Sequence, residues 1–357
     1  MIPRTRNLKY SLLVLLFALG FYPAGVPADE LIMRNGDKLT GTVISKQGNV
    51  LKFRTPYADS IEIRWARVAS LRTDKPVTLL LLDGTIVEAT FITTKSDADE
   101  AEQREDGKPV ILAGSVGLIK PEPWQIARGA KFTGKVNIGL KSERGNTDTD
   151  ELYLSGEFTV RRVQDRFNTF GRIDQDRAQS KKTTDKWDIN SKYDYFFTKK
   201  FYYTGNLSFE SDFFADLDLR ATAGLGLGYQ FFESKELNLK LEGGVNYVDE
   251  NYIDPEDRIN TEDNTDTEDR EYTALRWFIE YDQYFFEDVI QLYHRQRGLW
   301  DLEISKNYNF RSWTGLRFPL RAGFNFSTEV QADWDNTPAV GADELDTTYR
   351  FLLGYEW

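Results

Sequence analysis

The run from Leu217 to Phe231 alternates without a break over fifteen residues, and this most constrains the fold. Leu217, Leu219, Ala221, Ala223, Leu225, Leu227, Tyr229 and Phe231 share one parity, against Asp218, Arg220, Thr222, Gly224, Gly226, Gly228 and Gln230. Period-two patterning is the signature of a strand with one apolar face. A globular strand usually has about five or six residues. Crossing a bilayer at a tilt takes about 9–11. The length therefore points to a membrane-crossing strand.

The pattern recurs through 133–143, 149–162, 165–176, 187–197, 201–211, 237–247, 270–286, 289–300, 305–318, 320–334 and 345–357, which brings the number of segments to twelve. An even number suits a single-chain bacterial barrel. The parity of 289–300 is not clean. Short links at 163–164, 198–200, 233–235, 287–288 and near Pro319 alternate with longer polar links at 144–148, 177–183, 212–216, 249–269, 301–304 and 335–344. Short periplasmic and long outer connections are the rule for such barrels. The expectation is an all-β chain with a twelve-stranded antiparallel transmembrane barrel over 132–357, both barrel termini lying in the periplasm.

Aromatic residues are 14% of the chain, and they cluster at segment ends: Tyr193, Tyr195, Phe196, Phe197, Phe201, Tyr202 and Tyr203 around one turn, Tyr281, Tyr284, Phe285 and Phe286 around another. Amphipathic rings favour the membrane interface. The final segment places Thr347, Tyr349, Phe351, Leu353, Tyr355 and Trp357 on one face and ends on an aromatic residue. Leu353, Tyr355 and Trp357 resemble the C-terminal assembly signal of outer-membrane barrels. That resemblance implies the barrel-assembly machinery as a partner, beside outer-membrane lipid and lipopolysaccharide.

Residues 1–28 read as a signal peptide. Arg4, Arg6 and Lys9 precede an apolar core from Ser11 to Phe21, and Val26-Pro27-Ala28 offers a small-residue cleavage site. Residues 29–122 read as a periplasmic SH3-like or Sm-like β domain of two repeats about 48 residues apart, suited to an envelope partner. Leu31, Gly36, Thr42, Ile44, Ile63, Val68 and Leu71 recur as Leu79, Gly84, Thr90, Ile92, Ile111, Val116 and Ile119. Asn35-Gly36 and Asp83-Gly84 signal hairpins with tight type I′ turns. The second repeat carries an acidic insert from Asp97 to Asp106. Residues 123–131 form the linker, with Pro121-Glu122-Pro123-Trp124 as a stiff entry.

Catalytic chemistry is scarce. The chain has no Cys, a single His and a net charge of −12, which excludes a disulfide framework and argues against nucleic acid. No nucleophile elbow, zinc motif or phosphate loop occurs. No cofactor and no catalytic residue are assigned, and the chain reads as a non-enzymatic barrel, structural or a narrow channel. Two alternatives stand beside that reading. One is a hydrolase using His294. The other is a cation-bridged surface protein acting through the acidic loop 249–269, where Asp263, Asp266 and Asp269 are weak oxygen-ligand candidates. Lys135, Glu157, Arg172, Asp194, Arg220, Glu242, Arg276, Glu280, Arg317, Glu329 and Arg350 fall on the inward parity. Interleaved signs favour a filled or narrow lumen over a strongly selective pore.

Three motifs together carry a family resemblance. They are Ser142-Glu143-Arg144-Gly145-Asn146-Thr147, then Tyr193-Asp194-Tyr195-Phe196-Phe197 with Phe201-Tyr202-Tyr203, and Asp212-Phe213 through Leu217-Asp218-Leu219-Arg220 to Gly224, Gly226, Gly228 and Tyr229. Over 132–357 the chain resembles the YdiY-like barrels, domain-of-unknown-function family 481, often labelled salt-induced outer-membrane proteins. Asn35-Gly36-Asp37-Lys38-Leu39-Thr40-Gly41 is similar to the N-G-D-x-L-T-G entry of a periplasmic module in longer members. The resemblance implies location and fold, and transfers no activity.

Overall fold

A computed structural model describes residues 28–94, 110–143, 149–178, 181–213, 216–234, 236–253, 269–286, 288–337 and 344–357. The signal segment, the acidic insert 97–106 and most of the loop 249–269 lie outside the described residues. The chain divides into two compact units, Met1–Pro121 and Glu122–Trp357.

The first unit is a sheet in the order β4-β3-β2-β1-β5-β6-β7, with β8 pairing β2 and β5. Its strands are β1 (Asp29–Met33), β2 (Lys38–Gln47), β3 (Val50–Thr55), β4 (Ala58–Arg64), β5 (Val68–Leu81), β6 (Ile86–Thr93), β7 (Val110–Leu112) and β8 (Val116–Ile119). Residues that correspond at the 48-residue spacing form corresponding pairs. Leu31 pairs Leu71 between β1 and β5, and their counterparts Leu79 and Ile119 pair between β5 and β8. β5 serves both repeats because its register shifts between Arg72 and Val77. Leu31, Leu71, Leu79 and Ile119 meet in one buried core with Phe53, Val68 and Ile92. The hairpin turns differ from the expected type I′. Only Gly36 and Gly84 have positive φ, both +92°, and their N–H groups donate to Met33 O and Leu81 O at 3.0 Å. Each is thus a type I turn closed by a left-handed glycine, which a Cβ would strain.

The second unit is a closed barrel of twelve antiparallel strands. They are β9 (Lys131–Glu143), β10 (Thr149–Arg161), β11 (Asp165–Ala178), β12 (Lys181–Phe196), β13 (Phe201–Asp212), β14 (Leu217–Glu233), β15 (Leu237–Tyr252), β16 (Arg270–Phe285), β17 (Ile290–Asp301), β18 (Tyr308–Pro319), β19 (Phe324–Asp335) and β20 (Leu345–Glu356). Side chains alternate between an apolar exterior and a polar interior. Outward Leu225, Leu227, Val245, Tyr247, Phe351 and Leu353 are exposed. Inward Asp188, Asp194, Asn206, Glu242, Ser327 and Gln331 are buried. This inverts a soluble protein and is the arrangement that a lipid surround requires.

Four sequence expectations need correction. β11 ends at Ala178 and β12 begins at Lys181, so most of the link expected at 177–183 is strand. Leu217 points inward and is buried, because a register shift between Leu217 and Leu219 moves it off the face of its apolar neighbours. Phe196 and Tyr202 leave the aromatic girdle and pack together inside the barrel, ring centroids 4.8 Å apart. The segment 320–334 is not continuous, since Ala322 and Gly323 have positive φ in a turn before β19.

The linker is likewise more than a spacer. Pro123–Ile126 forms a 3-10 turn with a capping box between Glu122 and Gln125. Trp124 lies under the Arg161 guanidinium, 5.2 Å from ring centroid to carbon, at the rim of short turns. Pro123 supplies a fixed φ suited to that first turn.

Candidate functional site: the barrel lumen

The lumen is crossed by side chains. Arg311 on β18 reaches Asp188 on β12, halfway around the barrel, at 3.7 Å, and Glu210 on β13 at 3.5 Å. Arg297 on β17 spans to the same two carboxylates at 3.2 and 3.5 Å. Arg172 holds Asp188 from the adjacent strand at 2.5 Å, and Arg311 holds Asp333 at 2.5 Å. Arg220 bridges Glu210 and Glu250. The Trp313 ring lies beneath the guanidinium groups of both Arg172 and Arg297, and its N–H donates to Gln331 Oε1 at 3.1 Å. Walls facing each other are therefore tied together through one central knot of charge.

Further crossings occur along the lumen. Arg295 on β17 meets Glu157 on β10 at 2.7 Å, where Lys135 also bonds at 2.8 Å. Glu280 binds Lys240 at 3.1 Å. Glu242 accepts from Lys192 at 2.5 Å, Arg276 at 3.1 Å and the Tyr202 hydroxyl at 3.0 Å. Near the rim of short turns, Arg161 makes a two-point bridge to Glu233 at 2.8 and 3.0 Å. There Arg166 joins Asp194 at 2.8 Å and Gln230 at 2.9 Å. A planar guanidinium fork suits bridges that must hold both distance and direction.

The glycine track of β14 makes room for this packing. A Cβ on Gly224 would overlap the Asn246 amide, and one on Gly228 would overlap the Tyr202 ring. Side chains of the flanking strands thus fold down onto the G-x-G-x-G backbone.

Every residue proposed for the lumen faces inward. Arg172, Asp194, Arg220, Glu242, Arg276 and Glu280 belong to the networks above. Arg317 bonds Gln291 at 2.6 Å and Glu356 at 3.0 Å. Arg350 engages Asp174 and Gln331. Glu329 accepts the Tyr293 hydroxyl at 3.0 Å. His294 faces outward, and its Nδ1 hydrogen-bonds Thr314 Oγ1 at 2.8 Å. Asp263 and Asp266 lie outside the described residues. Asp269 Oδ1 accepts the Tyr252 N–H at 2.9 Å. Among the described residues no group of three or more His, Asp or Glu could hold a metal.

Sequence periodicity does not single out the central cations Arg295, Arg297 and Arg311. β17 is polar on both parities, with Gln291, Arg295 and Arg297 inward and His294 and Gln296 outward, so periodicity alone assigns neither face. The two-residue spacing of Arg295 and Arg297 was the available signal.

A family model described as a protein of unknown function, DUF481, matches residues 136–357. The chain belongs to that family. No curated protein matches by sequence. Among solved structures, the NanC porin aligns at 9% identity over 63% of this chain and 98% of its own, with a TM-score of 0.39. The translocator domain of the autotransporter NalP from Neisseria meningitidis aligns at 12% identity over 64% of this chain and 88% of its own, TM-score 0.35. The KdgM porin aligns at 13% identity over 63% and 98%, TM-score 0.31.

Proposed function

We propose that this DUF481 member is a non-enzymatic outer-membrane barrel whose lumen is shut by its own ion pairs, so that it anchors rather than conducts. The observation that carries the reading is the contact of Arg297 and Arg311 with Asp188 and Glu210 across the lumen. A free-diffusion pore needs an open aqueous path, and side chains bonded from wall to wall remove it. The apolar exterior supports a lipid surround. The short-turn rim, where β9 begins and β20 ends, is the periplasmic one by the usual order of barrel connections. The N-terminal unit then lies in the periplasm, available to an envelope partner, with Tyr57 at the β3–β4 turn 96% exposed. Enzymatic chemistry finds no support at His294, which faces the lipid side with a threonine hydroxyl as its hydrogen-bond partner.

Single-channel recording on refolded protein tests the proposal. The native chain should give no steps above background. Replacing Arg297 and Arg311 together by Gln should open measurable conductance. Steady conductance from the native chain overturns the closed-lumen reading.

A further inference from the structure

One sector of the outer wall, centred on β13, joins a groove, a series of rings and a basic turn. The groove has a volume of about 580 Å³, with Tyr193, Leu207 and Leu225 as walls and Ser191, Gly205 and Ala223 as floor. Its walls are exposed outward side chains. Clefts that hold small molecules span about 300–1,000 Å³, so the size is that of a binding cleft. Gly134 and Gly298 on the same outer surface lie under the rings of Trp357 and Trp277, whereas a Cβ on Gly205 would meet only Leu225 Cδ2, at 3.6 Å. The Ser191 hydroxyl is already bonded to that of Thr169 at 3.1 Å. The floor therefore offers a hydrocarbon chain no unpaired side-chain polar group.

Between the groove and the rim of short turns, rings follow one another from the end of β12 across β13 to β14. Centroids are 4.7 Å apart for Tyr203 and Phe197, 6.0 Å for Phe197 and Phe201, 4.5 Å for Phe201 and Tyr229, and 4.6 Å for Tyr229 and Phe231. Lys200, exposed in the β12–β13 turn, closes the series. Its Nζ stands 5.7 Å from the Tyr229 centroid and donates to Phe231 O at 3.2 Å. That carbonyl takes one of the three donors of an ammonium. Lys199 beside it gives the turn a second positive charge. Asp165 and Glu233, at the flanking turns, are each bridged to an arginine.

The spacing fits a lipid. Gly205 lies five residues on from Lys200, about 17 Å along the strand at ~3.4 Å per residue. At a strand tilt of about 40° this is ~13 Å of height. Half of the ~30 Å hydrocarbon core is close to the same depth, so an acyl chain rooted at the turn reaches the groove.

We propose that this sector binds one anionic phospholipid of the periplasmic leaflet, its phosphate at Lys200 and Lys199, its glycerol region against the rings and one acyl chain in the groove over Gly205. A lysine ammonium acts on phosphate as a point charge, and amphipathic rings suit the depth of the headgroups. A net headgroup charge separates an anionic lipid from phosphatidylcholine, whose choline offsets its own phosphate. The inference rests on the membrane reading above, and the leaflet follows from the rim order proposed there.

The test uses the full chain in nanodiscs of equal phosphatidylglycerol and phosphatidylcholine, both leaflets alike, with heat-modifiable gel mobility reporting insertion. Native mass spectrometry after mild detergent release should find one phosphatidylglycerol retained in preference to phosphatidylcholine. Lys199→Gln with Lys200→Gln should abolish the preference. Gly205→Leu, whose Cβ makes only an ordinary contact, should fill the groove and lower retention of both lipids. Gly243→Val, elsewhere on the outer surface, should keep the native pattern. A phosphatidylglycerol with a diazirine midway along one acyl chain should label β13 and β14 beside Gly205, and Gly205→Leu should reduce that labelling. Equal retention of the two lipids by the native protein overturns the site. So does a preference untouched by the lysine variant, or retention untouched by Gly205→Leu. A dimer broken by Gly205→Leu, with no lipid retained, assigns the groove to a second copy and likewise overturns the proposal. A chain that stays soluble as a single heat-independent band overturns the membrane reading, and the lipid site with it.

Discussion

Trp357 and Gly134 exchange both of their backbone hydrogen bonds, at 3.0 and 3.1 Å, and the indole lies where a Gly134 Cβ would stand. The last residue of the chain thereby locks the first strand of the barrel. An aromatic ring laid over a glycine on a neighbouring strand recovers the packing that glycine forfeits. Trp277 over Gly298 and Tyr293 over Gly315 repeat the device elsewhere in the wall.

Gly134→Val should therefore destabilise the barrel although position 134 is on the lipid-facing side. The new side chain must displace the indole, and forcing extra methyl groups into a filled site costs about 1–3 kcal/mol. The urea midpoint of the refolded barrel should fall, with the unfolding slope unchanged. Gly243→Val is the control, because a Cβ there meets nothing within 4 Å. Equal effects from the two variants would refute the ring-on-glycine lock.

Much of the barrel was legible because its solvent is inverted. A wall between lipid and a polar interior must alternate strictly, and Leu237, Leu239, Leu241, Val245 and Tyr247 do so with no competing signal. Legibility fails where geometry departs from period two. The shift at Leu217 reverses a face, and the turn at Ala322 and Gly323 interrupts an otherwise apolar–polar run. The site was half legible for a different reason. Parity identifies an inward Arg172 or Glu242, but which residue crosses to which wall depends on strand order and reach, so the meeting of Arg311 with Asp188 leaves no trace in local sequence. In the first unit Leu31, Leu71, Leu79 and Ile119, two pairs at the 48-residue spacing, meet in one buried core.

Glu242→Gln should be among the most damaging single substitutions in the lumen. Lys192, Arg276 and the Tyr202 hydroxyl converge on that carboxylate. Removing its charge leaves two buried cations without their counterion, a loss of about 3–5 kcal/mol. Arg162→Ala breaks a bridge to Asp165 in an exposed turn, and should lower the midpoint far less, because water and salt screen an exposed pair. Urea unfolding followed by gel mobility compares the two. A Glu242→Gln midpoint no lower than that of Arg162→Ala would show that the lumen is well hydrated.

His294→Ala should leave the barrel folded and inserted. Its loss is one hydrogen bond to Thr314 on the outer face, about 0.5–1.5 kcal/mol. Lipid- and peptide-hydrolysis assays on native and variant protein check the functional side. An activity present in the native protein and absent from the variant would revive the hydrolase reading and displace the structural one.

The N-terminal unit carries its own pH signature. Lys46 is buried, with Nζ donating to Val116 O at 2.8 Å and Gly117 O at 2.7 Å across β2 and β8. Burial lowers its pKa from the usual lysine value of 10.5. The folded unit thus gives up that proton more readily than the unfolded chain. Between the lowered value and 10.5 the unfolded state binds more protons, so stability rises with pH through that window. Below the window the cost of burying the ammonium is present in full. Lys46→Met removes the titration while keeping much of the stem's bulk. The thermal midpoint of this unit should climb as pH is raised from neutral into the alkaline range, and the climb should flatten in Lys46→Met. Parallel slopes in the two proteins would mean that Lys46 is not the group responsible.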